Sequence, residues 1–190
     1  LFGYFGAPVA ETSDHINLVF AGDWLGQPDQ LMQVIAAHNA GLPVMLHVDG
    51  QISFNRIQPI DYLAMEIRLR NRFQQIKNLG AIETVKFLYF DEPDRQGMNA
   101  GQVKSINETL RKIAAEFGIV PRVTTIYSAA FTWVGAEYFD DIGLDNYGPG
   151  PGIFTNGDYQ RLKDAAKGKG IILPIGGADP WRIDPDPFFN

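Results

Sequence analysis

Residues 42–48, Leu-Pro-Val-Met-Leu-His-Val, form a near-continuous apolar run that closes on Asp49. A strand wetted on one face alternates apolar with polar residues, whereas an uninterrupted apolar run marks a parallel strand covered on both faces. Helical patterns flank this run on either side. Upstream, Pro28 and Asp29 open a helix whose Leu31, Val34, Ile35 and His38 keep a helical period up to Gly41. Downstream, a helix near 59–79 places Ile60, Leu63, Ile67, Phe73 and Ile76 on one stripe and stops at Gly80.

The same alternation continues outward. Residues 2–5 and 16–21 read as the first and second strands, and 84–90 as the fourth. Asn99 caps a helix carrying Val103, Ile106, Leu110, Ile113 and Phe117 before Gly118. Residues 122–127 form a fifth strand, a helical turn near 131–138 leads to a sixth at 141–146, and Asp158 caps a helix with Tyr159, Leu162 and Ala166. Residues 171–175 are the seventh strand. Strands alternating with helices predict an α/β fold with a parallel sheet. Seven such units, with no glycine-rich nucleotide loop after the first strand, predict a TIM-type (β/α) barrel rather than a doubly wound sheet. The first connection is too short for a full helix and no eighth strand is evident after Trp181. With about 250 residues typical of this barrel, the expectation is a trimmed or incomplete one forming a single domain over residues 1–190.

Composition narrows the function. The 190 residues carry 16 Lys+Arg against 22 Asp+Glu, a net charge of −6, without a basic cluster, which disfavours a nucleic-acid partner. Nothing in the chain is long and apolar enough to predict a membrane span. The absence of cysteine excludes disulfides, thiolate metal sites and a cysteine nucleophile. The chain opens at Leu1 within a strand pattern and shows no signal peptide, as a processed protein or a piece of a longer one would. A secreted or periplasmic setting suits the missing cysteines.

Barrel active sites form at the carboxyl ends of the strands. Here those ends carry Asp23-Trp24, His47-Val48-Asp49, Asp91-Glu92-Pro93-Asp94, Tyr127-Ser128, Asp145-Asn146-Tyr147 and Asp179-Pro180-Trp181. Asp and Asn are ordinary turn residues, but turn chemistry does not call for Trp, Tyr and His. Carboxylates move protons and bind hydroxyls, and aromatic faces cover the apolar side of a pyranose, so the convergence predicts a carbohydrate substrate.

Asp91-Glu92 is the sharpest feature. Two neighbouring carboxylates in a partly buried site do not ionise independently, and one is expected to stay protonated as a general acid. Because side chains alternate along a strand, both face the mouth only if the strand bends there. Pro93 biases Glu92 toward an extended backbone.

Glu92-Pro93 preceded by an acid resembles the Asn-Glu-Pro of retaining barrel glycosidases, with Asp91 in place of Asn. Those enzymes also carry a nucleophilic Glu after strand seven, where this chain has only Asp179 and no Glu beyond Glu137. The Asp-Glu-Pro triplet resembles more closely the substrate-assisted β-N-acetylhexosaminidases of glycoside hydrolase families 20 and 123. That resemblance implies Glu92 as the acid/base and Asp91 as the residue orienting a 2-acetamido group. Tyr147, in Asp145-Asn146-Tyr147-Gly148, resembles the tyrosine that holds the acetamido carbonyl. An amino-sugar glycan is then the expected substrate, and no cofactor or resident metal is called for.

Asp145 or Asp179 would serve as the base of an inverting mechanism. Trp24, Trp133 and Trp181 are candidate stacking residues, with Asp23, His47, Asp49, Tyr127 and Asp179 as hydroxyl binders. Two alternatives stay open. His47, Asp49 and Asp23 would suit a metal-dependent hydrolase or deacetylase, and retained aromatics with a silent acid would suit a carbohydrate-binding barrel.

Overall fold

The computed structural model describes residues 17–22, 29–52, 59–128, 132–145 and 157–172. Strands form where the apolar runs lie: β1 Val19–Ala21, β2 Val44–His47, β3 Val85–Asp91, β4 Arg122–Tyr127, β5 Asp141–Leu144 and β6 Gly170–Ile172. They make one parallel sheet in the order β1-β2-β3-β4-β5-β6. The expected strand at 2–5 lies outside the described residues, so the fourth strand of the sequence count is β3 here.

Helices α1 (Gln30–Asn39), α2 (Asp49–Ile52), α3 (Tyr62–Asn78), α4 (Ala100–Glu116) and α5 (Asp158–Ala166) connect the strands. Their ends follow local chemistry. The Asp29 carboxylate accepts from Leu31 N at 2.8 Å and Asp61 from Ala64 N at 2.9 Å. Asn99 and Gln102 form a reciprocal capping box at 2.9 and 3.0 Å. Asp158 is the first helical residue of α5 rather than its cap, because Gly157, at φ 85°, makes the entry turn.

All the long helices pack on one face of the sheet. Val19, Val44, Leu46, Leu88, Phe90, Val123 and Ile142 meet Val34, Leu69, Phe73, Ile106, Leu110 and Leu162 in a single core. Each fully buried aliphatic or aromatic side chain there contributes roughly 1.5–3 kcal/mol. The alternate strand residues Phe20, Met45, Tyr89 and Ile126 form a second, smaller cluster on the other face. A doubly wound sheet reverses its strand order and takes helices on both faces. Sequential order with one helical layer is the barrel-type arrangement, with the second cluster on its inner face. Gly143 belongs on that inner face, where a Cβ would come within 2.6 Å of Ile172 O and 2.9 Å of Ile126.

The predicted stripe of the second helix is corrected. Ile60 precedes α3, and Leu63 and Ile67 are 69% and 50% exposed, whereas Met65, Leu69, Phe73 and Ile76 are buried. Leu63 and Met65 are two residues apart, about 200° around the helix, so the two stripes face opposite ways. Among the described residues no helix is long and apolar enough to cross a membrane.

Candidate active site

Alternation along β2 and β3 sends Met45 and His47, and Phe87, Tyr89 and Asp91, to the inner face. His47 pairs with Tyr89 across the ladder, and their rings lie 5.5 Å apart. Phe20 of β1 closes this aromatic floor, with its ring 5.3 Å from that of Tyr89 and 5.9 Å from that of His47. Above the floor stand the polar ends of the strands.

Asp49 organises that level. Its Oδ1 accepts from Asp91 N at 3.0 Å and lies 3.3 Å from His47 Nε2, while Oδ2 accepts from Gln96 Nε2 at 3.0 Å. Gln96 also donates to Asp91 O at 2.5 Å. Helix α2 is held in turn by Arg68, which donates to Gln51 O at 2.7 Å and to Ile52 O at 3.3 Å. The buried Gln30 amide joins the ends of β1 and β2, donating to Ala21 O at 3.1 Å and His47 O at 2.8 Å. Asp94 ties the turn after β3 to the end of β4, accepting from Ser128 N at 3.1 Å and Ser128 Oγ at 2.7 Å.

Within this frame Asp91 is largely buried and accepts a hydrogen bond from the Tyr89 hydroxyl. Burial pushes its carboxyl up from 3.8 to about 6. The Tyr89 hydrogen bond works against that rise, the Asp49 and Glu92 carboxylates add to it, and His47 opposes it. Replacing Tyr89 with Phe is therefore expected to move the Asp91 titration further up. Carboxyl-carbon NMR of the wild type and variant across pH 4–8 would measure it, and an unmoved or lowered midpoint would break the assignment.

Glu92 does not adopt the extended backbone that Pro93 favours. Its φ is 38°, in the left-handed region that a non-glycine residue enters only at a cost of about 1–3 kcal/mol. Its N–H still pairs with Ile126 O at 2.9 Å, and its carbonyl accepts from Gln96 N at 2.9 Å. The strand therefore stays in register through Asp91 and turns at Glu92. Glu92 is 8% exposed, and its Oε2 meets Arg95 Nη1 at 3.0 Å. The Arg95 guanidinium is held above its usual range by this pair, and the Asp145 and Asp91 carboxylates add to the effect. Asp145 follows β5 on the inner-face alternation, with its N–H donating to Tyr127 O at 2.7 Å.

His47, Asp49, Asp91, Glu92 and Asp145 thus gather at one end of the sheet. Tyr127 does not join them. It is the last residue of β4 on the helix-facing side, fully buried, with its hydroxyl donating to Val134 O at 2.8 Å. Trp133 is half-buried and packs edge-to-face on Tyr127 at 5.3 Å, as part of the same helix-side core. Asp23, Trp24, Tyr147, Asp179 and Trp181 lie outside the described residues. Among the described residues no trio of His, Asp and Glu is placed to hold a metal ion. Both Asp49 oxygens are already engaged in positioning the end of β3.

Three members of the site went unread in the sequence. Tyr89 shares the Asp91 face by simple alternation, so its signal was present. Gln96 and Arg95 belong to a turn, where spacing says little about direction.

No family model and no curated protein matches the chain. Solved structures with a similar fold include a glucosidase from Croceicoccus marinus, with a TM-score of 0.62 at 13% identity over 96% of this chain and 52% of that one. A glycoside hydrolase family 17 β-1,3-glucanosyltransferase from Rhizomucor miehei aligns with a TM-score of 0.57 at 16% identity, over 90% of this chain and 68% of its own. A β-glucuronidase from Parabacteroides merdae gives 0.53 at 12% identity, over 85% of this chain and 20% of its own. The chain therefore spans between a fifth and about two thirds of these proteins, and at such identities the likeness is one of fold.

Proposed function

We propose that the protein is a glycoside hydrolase in which Glu92 is the general acid/base and Asp91 its partner. The observation that carries this reading is the backbone turn at Glu92. With φ at 38° the chain turns at Glu92, whose carboxylate acts on that of Asp91 and pairs with Arg95 at 3.0 Å. Strain retained at the end of a buried strand is what a site requiring both carboxylates would keep. The fold likeness to a glucosidase, a glucanosyltransferase and a β-glucuronidase supports the same reaction class.

In that reaction Glu92 gives a proton to the glycosidic oxygen as the C1–O bond breaks, and water finally adds to C1. The finer reading is an amino-sugar glycan. Asp91, ionised, accepts the N–H of a 2-acetamido group and turns its carbonyl oxygen toward C1, with Tyr147 as the proposed holder of that carbonyl. The roles of Asp145, Asp23, Trp24, Asp179 and Trp181 in binding or as a base belong to the same proposal.

The test is reducing-end release from a panel of chitin oligomers, galactosamine polymers, peptidoglycan and neutral glucans. Cleavage confined to 2-acetamido substrates is expected. Equal cleavage of neutral glucans would remove substrate assistance, and no cleavage of any polymer would remove the hydrolase reading.

A further inference from the structure

Arg95 stands out in the mouth because its neighbours are otherwise acidic. Asp49, Asp91, Glu92, Asp94 and Asp145 lie at these strand ends with His47, and an anion approaching them meets net repulsion. Arg95 is the described cation that acts on three of those carboxylates, Glu92, Asp145 and Asp91. It spends only Nη1 on Glu92, at 3.0 Å. Its Nε and Nη2 have no protein hydrogen bond among the described residues, and the side chain is 70% exposed. A planar fork with one edge paired and the rest facing solvent matches a second carboxylate, bound through two parallel N–H···O contacts.

We propose that Arg95 is a substrate-binding residue that takes the carboxylate of an anionic glycan, on a sugar adjacent to the bond that is cut. The proposal rests on the reading of Glu92 as the acid and adds the charge of the substrate to it. A neutral sugar offers the guanidinium only hydroxyls, whereas a uronate offers a matching charge and geometry.

The experiment compares two probes, a hexasaccharide of alternating N-acetylglucosamine and glucuronate and its carboxyl methyl ester. Dissociation constants are measured by calorimetry at neutral pH for the wild type, Arg95→Gln and Arg95→Lys, and reducing-end release is followed in parallel. The wild type is expected to prefer the free acid by about 10- to 100-fold. Arg95→Gln brings that ratio near one, and Arg95→Lys keeps part of it, since a point charge attracts the anion without the bidentate fit. A merely structural Arg95 would weaken both probes equally and leave the ratio unchanged, which overturns the proposal. So does a wild type that binds neither probe or favours the ester. An Arg95-dependent preference without reducing-end release from this probe or from any polymer of the panel keeps the binding assignment and rejects the hydrolase reading.

Discussion

Glu92→Gln is expected to lower kcat by about 10²–10⁴-fold on natural glycosides while leaving the fold intact. The change is isosteric, and the amide oxygen still accepts from Arg95 Nη1, so the ion pair becomes a hydrogen bond rather than a void. What disappears is the transferable proton. The loss should therefore depend on the leaving group. An aryl glycoside whose phenol leaves readily as an anion needs little protonation and should suffer much less than an oligosaccharide. Steady-state rates on both substrate types, with circular dichroism and thermal melting to match the folds, would measure the effect. A variant retaining wild-type turnover on oligosaccharides would remove Glu92 from proton transfer. A uniform loss on both substrates would assign it to binding.

Asp91→Asn is expected to stabilise the protein at neutral pH and to impair turnover on 2-acetamido substrates. The native Asp91 carboxyl titrates near 6 against 3.8 for the free group. Between those values the folded state holds the proton more tightly than the unfolded state, so this group's contribution is fullest below 3.8. It falls as pH rises toward 6. Two units at about 1.4 kcal/mol each set a ceiling of about 3 kcal/mol, and solvent relaxation makes about 1–3 kcal/mol the expected range. Asn is neutral throughout and retains an oxygen for the Tyr89 hydroxyl, so it removes the fall. Urea unfolding at pH 4 and pH 7 measures it: the wild type should lose stability relative to the variant over that interval. Identical pH dependence in the two proteins would contradict the assigned titration. Activity runs the other way. In the proposed mechanism ionised Asp91 is the form that would accept an acetamido N–H, so wild-type turnover should rise with pH through about 6, and the variant should lack that limb. The same burial that costs stability at neutral pH places the titration near 6, where the proposed chemistry would use it.

The barrel pattern was legible because its determinants are local or periodic. The apolar run at 42–48 became β2, the Asn99 capping box began α4, and the run at 122–127 became β4 with the predicted bounds. Errors entered where one residue decides a direction. Tyr127 and Ser128 both sit at the end of β4, but alternation turns the tyrosine into the helix-side core and leaves the serine bonded to Asp94. Leu63 and Ile67 fit a helical period as well as Met65 and Leu69 do, and only the position of the sheet selects the buried stripe.

Within the site the division is sharper. That carboxylates would cluster at the strand ends followed from strand order and residue type, both of which the linear chain specifies. Which carboxyl is pushed up depends on burial and on charges 42 residues apart in sequence, as between Asp49 and Asp91. Whether Glu92 faces the mouth depends on one left-handed residue opposed by its own proline, held by the ladder to β4 and the turn to Gln96. The placement of Arg95 against Glu92 follows from that turn. Periodicity and capping are short-range and survive in the sequence as patterns. Desolvation and through-space charge act over distances that exist only once the strands have been brought side by side.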